Sequence, residues 1–485
     1  MNASSLVKHT FILRGGPMRR VLCLLLWLLA VSGSGAFHQA VAAAERAAPL
    51  ALTGASIFDG TGAPPMDGII LLHGERIAAI GPRAEITLPD DARVIDLSGY
   101  WIIPGLIDAH VHFFQSGSLY TRPDIIDLRR FRPYASEIAW IRRHLPANLA
   151  RYLASGITSV VDMAGPWWVM DVRDAAEQTA SAPRVALAGT GLAPGLPPGL
   201  DSEHAPGVIV RTPQQARAEV RRLAVRHPDF IKIWFAPTPA MDLEQEFAWI
   251  SAAVEESHAN GLRVAAHATQ LEVARRMVQT GVDILVHSVD DKPVDDAFIA
   301  LLKKYDVIYV TTLGVSEGYR ETLTQEIHLS DFERRFGDPA VIASLDDLSE
   351  RFPHYRPPRV QPGIRIALQN LARVHAAGIR VAAGSDAGNI GTLHGPALHH
   401  ELELMQQAGL APRDILVTAT RNGAIVMGRE RDIGTLQPGK LADMVILSAD
   451  PLKDIRHTRH IAASVKGGVL YQPNRLLREI ELAEH

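Results

Sequence analysis

Strand-like runs alternate with helical stretches through the middle of this 485-residue chain, and no other feature narrows its fold so far. The first run ends at His110. It is followed by 157–163 (ITSVVDM), 184–190 (RVALAGT), 229–235 (DFIKIWF), 263–268 (RVAAHA), 282–288 (VDILVHS), 307–312 (VIYVTT) and 380–386 (RVAAGSD). Between them lie stretches of helical character. One (SEIAWIRRHLPANLARYLASG) ends at Gly156 and another (EQEFAWISAAVEESHANG) ends at Gly261, where a glycine suits the turn that closes a helix. Eight βα units over roughly 320 residues predict an α/β fold, a parallel (β/α)8 TIM barrel, because this length exceeds one doubly wound sheet.

The two ends read differently. Residues 50–100 and 433–472 carry short strand-like runs punctuated by turns, and the two sets are expected to pair into one small β-sandwich. The expected organisation is therefore a composite β domain from 45–100 and 430–485 around a barrel of 101–429. The long segment 314–362 between the seventh strand and its following helix has the size of a lid or substrate wall.

Residues 1–44 have the pattern of an export signal. Arg19 and Arg20 precede the apolar stretch Val21 to Val31, and small residues follow up to Ala44, so cleavage is expected near Ala42 or Ala44. Met18 is read as the start. The stretch is too short to cross a bilayer as a helix, which favours cleavage over a retained anchor and a periplasmic or secreted product with no membrane span. The only cysteine, Cys23, lies inside this signal. A mature chain without thiols excludes cysteine nucleophiles, thiolate ligands and disulfides. A net charge of -4 with dispersed lysine and arginine leaves no basic face for nucleic acid. The partner expected is a small-molecule substrate, and assembly as a homo-oligomer stays open.

His110 and His112 close the apolar run that begins at Trp101. Period-2 geometry puts both imidazoles on one face of a buried strand, where two unpartnered rings would be costly unless they serve as neutral donors to a metal such as zinc. Four more ligand-type residues stand at or near strand ends: Lys232, His267, His287 and Asp386. In a barrel, chemistry collects at the C-terminal strand ends, so all six converge on one mouth. Each also has a plainer explanation. Lys232 could line the barrel wall, either imidazole after it could be structural, and Asp386 could cap a turn in the glycine-rich GSDAG. His394 is a candidate contact to substrate or to a group supporting the site, or else a surface loop histidine, and Trp167, Trp168, Trp234 and Tyr319 either shape the pocket or fill core.

PGLIDAHVHF at 104–113, the strand-borne Lys232, HATQ from 267, VHSVDD from 286, AGSDAG from 383 and IGTLQPGKLADMVILSADPL at 433–452 together resemble the metal-dependent amidohydrolase superfamily. Within it the chain is similar to the imidazolonepropionase-related group, which includes prolidase-like dipeptidases. The resemblance implies two divalent ions, expected to be Zn2+, and a carboxylated Lys232 bridging them. His110, His112 and Asp386 then serve the first ion, and His267 and His287 the second. It further implies hydrolysis of an amide-type C–N bond by hydroxide generated at the metals, with Asp386 shuttling the proton. A dipeptide, an N-acyl amino acid or a cyclic amide would fit. Lactone or ester hydrolysis, or a decarboxylase or isomerase reaction on the same site, stays open.

Overall fold

The computed structural model describes residues 48–197, 199–200, 204–352, 354–355 and 364–484. The export signal expected at 1–44, with Met18 and Cys23, lies outside them. Among the described residues no helix is long and apolar enough to cross a membrane.

The central strands form two wholly parallel sheets. Leu106–Val111, Ile157–Asp162 and Arg184–Leu187 make a sheet of three. Gly191–Ala193, Gly207–Ile209, Phe230–Ile233, Arg263–His267, Ile284–Val286, Ile308–Thr311 and Val381–Ala383 make a sheet of seven. Backbone hydrogen bonds cross from one sheet to the other on both sides. Asp229 N donates to Leu187 O at 2.9 Å, and Asp386 N donates to His110 O at 2.8 Å. Helices such as Tyr134–Ala154, Leu243–Ala259 and Arg365–Ala376 return the chain between strands, and the fold is TIM-barrel-like. Several strands, including Leu106–Val111 and Phe230–Ile233, are buried along their whole length, which is why they read as continuous apolar runs.

Ile107, Ala109, Phe230, Ala265, Ile284, Ile308 and Ala382 belong to one buried cluster. The pairing of the first strand slips between Asp108 and Val111. Beyond that irregularity the even-numbered His110 and His112 take the side that the odd-numbered Ile107 and Ala109 hold below, which is what a bulge does to side-chain direction.

The chain ends meet in a single eight-stranded sheet, in which Met444–Leu447 pairs antiparallel with Trp101–Pro104 and the latter runs parallel to Leu50–Ile57. This corrects the sequence reading in one respect. The apolar run from Trp101 to Ala109 is two strands, because the chain leaves one sheet for the other at Gly105. Gly105 N donates to Asp443 O in the end sheet, whereas Leu106 N donates to Gly156 O beside the central one. A Cβ at Gly105 would stand 2.1 Å from Thr158 Oγ1, so only glycine passes here. The run 184–190 is also shorter than expected, ending as a strand at Leu187, with Gly189 at φ +73°. Among its described residues, the segment after the seventh strand forms the helices Leu313–Thr324, Asp331–Phe336 and Pro339–Arg351.

Candidate metal centre

His110 and His112 turn their Nε2 atoms toward each other at 3.2 Å. Asp386 Oδ1 completes the group, 3.4 Å from the first nitrogen and 3.2 Å from the second. The three ligand-type atoms lie within 4.8 Å of one another. His112 Nδ1 stands 2.9 Å from Ala164 O, an atom that only accepts. The proton of the neutral ring is therefore on Nδ1, and the Nε2 lone pair is bare. Asp386 Oδ1 and His110 Nδ1 are buried without a hydrogen-bond partner among the described residues. Lone pairs thus converge with too few protons between them, which is expensive unless a cation fills the space.

The remaining candidates adjoin this trio. The His287 ring lies 4.8 Å from that of His110 and 4.4 Å from that of His267. Its Nδ1 is 2.7 Å from Thr312 Oγ1 and 3.8 Å from Asp386 Oδ2. Lys232 is 3% exposed, and with His112, His267, His287 and Asp386 it lines one cavity of about 310 Å³. His110 is fully buried behind that wall. Burial pushes the His110 and His267 imidazoles well below their ordinary range and His287 down to about 3, and it brings the Lys232 ammonium down to about 7. Burial also pushes the Asp386 carboxyl up, but the adjacent imidazoles of His110, His112 and His287 outweigh it and bring the group well below its ordinary range.

Two of these residues have left-handed backbones, His287 at φ 74° and Asp386 at φ 58°. Such strain persists only where the surroundings fix it. At Asp386 the surroundings are explicit. The buried Asp108 carboxylate accepts from Ser385 N at 2.9 Å, Ser385 Oγ at 2.5 Å and His110 N at 3.3 Å, tying the first strand to the last. Burial raises Asp108 toward about 7 against these hydrogen bonds. Asn389 Nδ2 donates to Asp386 O at 3.1 Å. Asn389 Oδ1 in turn accepts from Arg122 Nη1 at 2.6 Å and from Tyr319 Oη at 2.5 Å. Asp162 accepts from Phe113 N at 2.8 Å and Ala164 N at 3.2 Å, which sets the segment after His112 and the carbonyl that orients its ring. Much of this support escapes a reading of the sequence, since bonds such as Asp108–Ser385, Arg122–Asn389 and Tyr319–Asn389 join parts of the chain whose proximity exists only in the fold.

The close approach at Gly384 gives a direct test. A Cβ there would stand 2.7 Å from His110 Cβ and 2.9 Å from His110 N. Gly384→Ala is expected to destabilise the protein by about 1–3 kcal/mol through overpacking, measured as a shift in the urea midpoint, and to weaken metal uptake because His110 must move. A variant with unchanged midpoint and metal titration would contradict this geometry.

Of the readings open for His394 (a contact to substrate, a supporting group behind the site, or a surface loop histidine), the structure shows the supporting one. It is 4% exposed, its Nε2 donates to Gln115 O at 2.7 Å, and its Nδ1 is 2.8 Å from Tyr152 Oη. With its ring stacked on Phe113 it holds the 113–115 segment from behind and does not line the cavity. Trp234 and Tyr319 do line it. Trp167 and Trp168 instead pack on the core beneath Arg222 and Arg142.

Comparison with known proteins follows this geometry. A family model described as "Amidohydrolase family" matches residues 101–471. Imidazolonepropionase of Caulobacter vibrioides is 27% identical over 415 residues, covering 78% of this chain and 87% of that protein. Among solved structures, a Xaa-Pro dipeptidase with bound methionine in its active site superposes with a TM-score of 0.66 at 21% identity, covering 88% of this chain and 100% of the other. Molinate hydrolase superposes with a TM-score of 0.66 at 20% identity, over 88% and 95%. The structural likenesses speak to the fold alone.

Proposed function

The chain belongs to the amidohydrolase family and is a hydrolase acting on C–N bonds, and from that premise we propose that it cleaves the amide of a small substrate such as a dipeptide, an N-acyl amino acid or a cyclic amide. The observation that carries this reading is the convergence of His110 Nε2, His112 Nε2 and Asp386 Oδ1 at the base of a cavity with room for such a molecule.

His110, His112 and Asp386 would hold a first divalent cation and His267 and His287 a second, with zinc the best match to a nitrogen and oxygen donor set. Lys232, carboxylated on Nζ, would bridge them. Bound there, the cations supply the Lewis acidity that makes hydroxide available near neutral pH and polarises the scissile carbonyl. Asp386 accepts the proton of the attacking water at Oδ2 and delivers it to the departing nitrogen. His112 is kept in its metal-ready tautomer by Ala164 O. Tyr319, Trp234 and Phe114 exclude water around the substrate. The signal-like N-terminus supports action outside the cytoplasm, and the strand order supports a closed eight-stranded barrel.

The test is a screen of purified protein against dipeptides and N-acyl amino acids, reading released amine, with metal content measured in parallel. Chelator treatment is expected to abolish amine release, and added zinc to restore it. Full activity in metal-free protein, or opening of esters and lactones with no amide cleaved, would overturn the proposal.

A further inference from the structure

The cavity wall contains one acid that the metal centre does not use. Asp290 lies three residues beyond His287 and is half-buried among the lining residues. Apart from its own backbone N–H, its carboxylate has no hydrogen-bond or ion-pair partner among the described residues. Its neighbours are committed elsewhere: Asp291 Oδ1 accepts from Leu271 N at 2.9 Å, and Lys292 pairs with Glu272 at 3.4 Å.

The backbone that carries Asp290 is, by contrast, held on both sides. Asp290 N donates to Thr269 O at 2.9 Å, and Val289 N donates to Tyr309 Oη at 2.6 Å. The buried Asn370 donates through Nδ2 to Val289 O at 2.8 Å and Lys292 O at 3.0 Å, and its Oδ1 accepts from Val294 N at 2.8 Å. A fixed backbone that presents an unmatched carboxylate to a cavity is a preorganised receptor for a donor brought by the ligand.

The other charges of the wall are already accounted for. Arg122 meets Asp124 through two parallel bonds of 2.8 and 2.6 Å, so its cation is neutralised before any substrate arrives. Lys232 and Asp386 belong to the metal centre. Much of the remaining wall is apolar, including Phe114, Ile125, Trp234, Leu313 and Ile364. In such surroundings an unpaired carboxylate is costly with a neutral ligand and favourable with a cationic one. Burial and the adjacent Asp291 raise Asp290 to about 6, in keeping with the absence of a cation beside it.

We propose that Asp290 is a specificity-determining residue that receives the ammonium or guanidinium of a basic substrate side chain, so that the preferred amides carry a positive charge. This rests on the preceding assignment of the cavity as the substrate site. Citrulline matches arginine in shape without its charge, and the two separate the contribution of Asp290 from that of size.

For the zinc-loaded protein, kcat/KM is to be compared for L-alanyl-L-arginine and L-arginyl-L-alanine against their citrulline counterparts. The expected result is a preference for at least one arginine dipeptide of about tenfold or more, the scale of one charge-assisted hydrogen bond. In Asp290→Asn that ratio should fall toward one. Calorimetry of L-arginine and L-citrulline binding to the same proteins runs alongside. Tighter arginine binding lost in Asp290→Asn upholds Asp290 even when neither dipeptide is cleaved, an outcome that would count against the hydrolase substrate assignment alone. Equal handling of arginine and citrulline by the unmodified protein, in turnover and in binding, or an unchanged ratio in the variant, would overturn the inference.

Discussion

Replacing Asp386 with asparagine is expected to lower kcat by about three orders of magnitude, within the range lost when a positioned general acid–base group is removed. The substitution keeps the shape of the side chain while removing its negative charge and its capacity to carry a proton. Asparagine has nearly the same volume, keeps one carbonyl oxygen for a cation, and tolerates the left-handed backbone that residue 386 adopts at φ 58°. The backbone bonds from Asp386 N to His110 O and from Asn389 Nδ2 to Asp386 O do not involve the altered group. Metal content, measured by plasma mass spectrometry, should therefore stay close to that of the parent while turnover collapses, with kcat affected more than KM. An Asp386→Asn protein with near-normal kcat would remove Asp386 from proton transfer.

Lys232→Ala is the second decisive variant. The lysine is 3% exposed among His267, His287 and Asp386, and burial brings its amine to about 7, so an uncharged nitrogen able to add to carbon dioxide is available at neutral pH. If the resulting carbamate bridges two cations, alanine at this position should reduce metal stoichiometry and lower activity by about a hundredfold or more, as expected when a metal-centre ligand is lost. Short carboxylates such as acetate or propionate should restore part of both, because they supply the missing anion in the space left behind. Lys232→Met preserves the volume and guards against a loss caused by a cavity alone. It should be equally inactive but should not respond to carboxylates. Unchanged metal stoichiometry in both variants would exclude the bridging assignment.

The residues that converge on the cavity could be named from sequence because each follows a β-rich apolar run, and strand ends in a parallel α/β fold gather at one side. Lys232, His267 and His287 illustrate this: each lies in or just after a short strand, with no ambiguity about which strand it serves. The break at Gly105 was not legible, because an apolar run carries no mark of a change of sheet when both halves are buried. The helices of the 314–352 segment do leave a mark in the sequence. Ser330 and Glu333 form a capping box, and Asp338 precedes Pro339 at a helix start, both patterns visible in the sequence. His394 misled because a histidine in a glycine-rich loop offers no indication of which way it turns. Its partners, Tyr152 and Gln115, are hundreds of residues upstream. The same distance concealed Asp108 as the clamp on Ser385 and left Asp290 indistinguishable from an ordinary surface acid.

The bond network around Asn389 has a consequence for engineering. Tyr319 comes from the helical insertion, Arg122 from the loop after the first strand, and both end on an amide whose other side supports the backbone of Asp386. The insertion is therefore not an interchangeable cassette. Transplanting that segment from a relative without its matching arginine and asparagine would loosen the backbone of Asp386 while leaving His110, His112, His267 and His287 in place, and such a chimera would look intact by composition yet differ at its site.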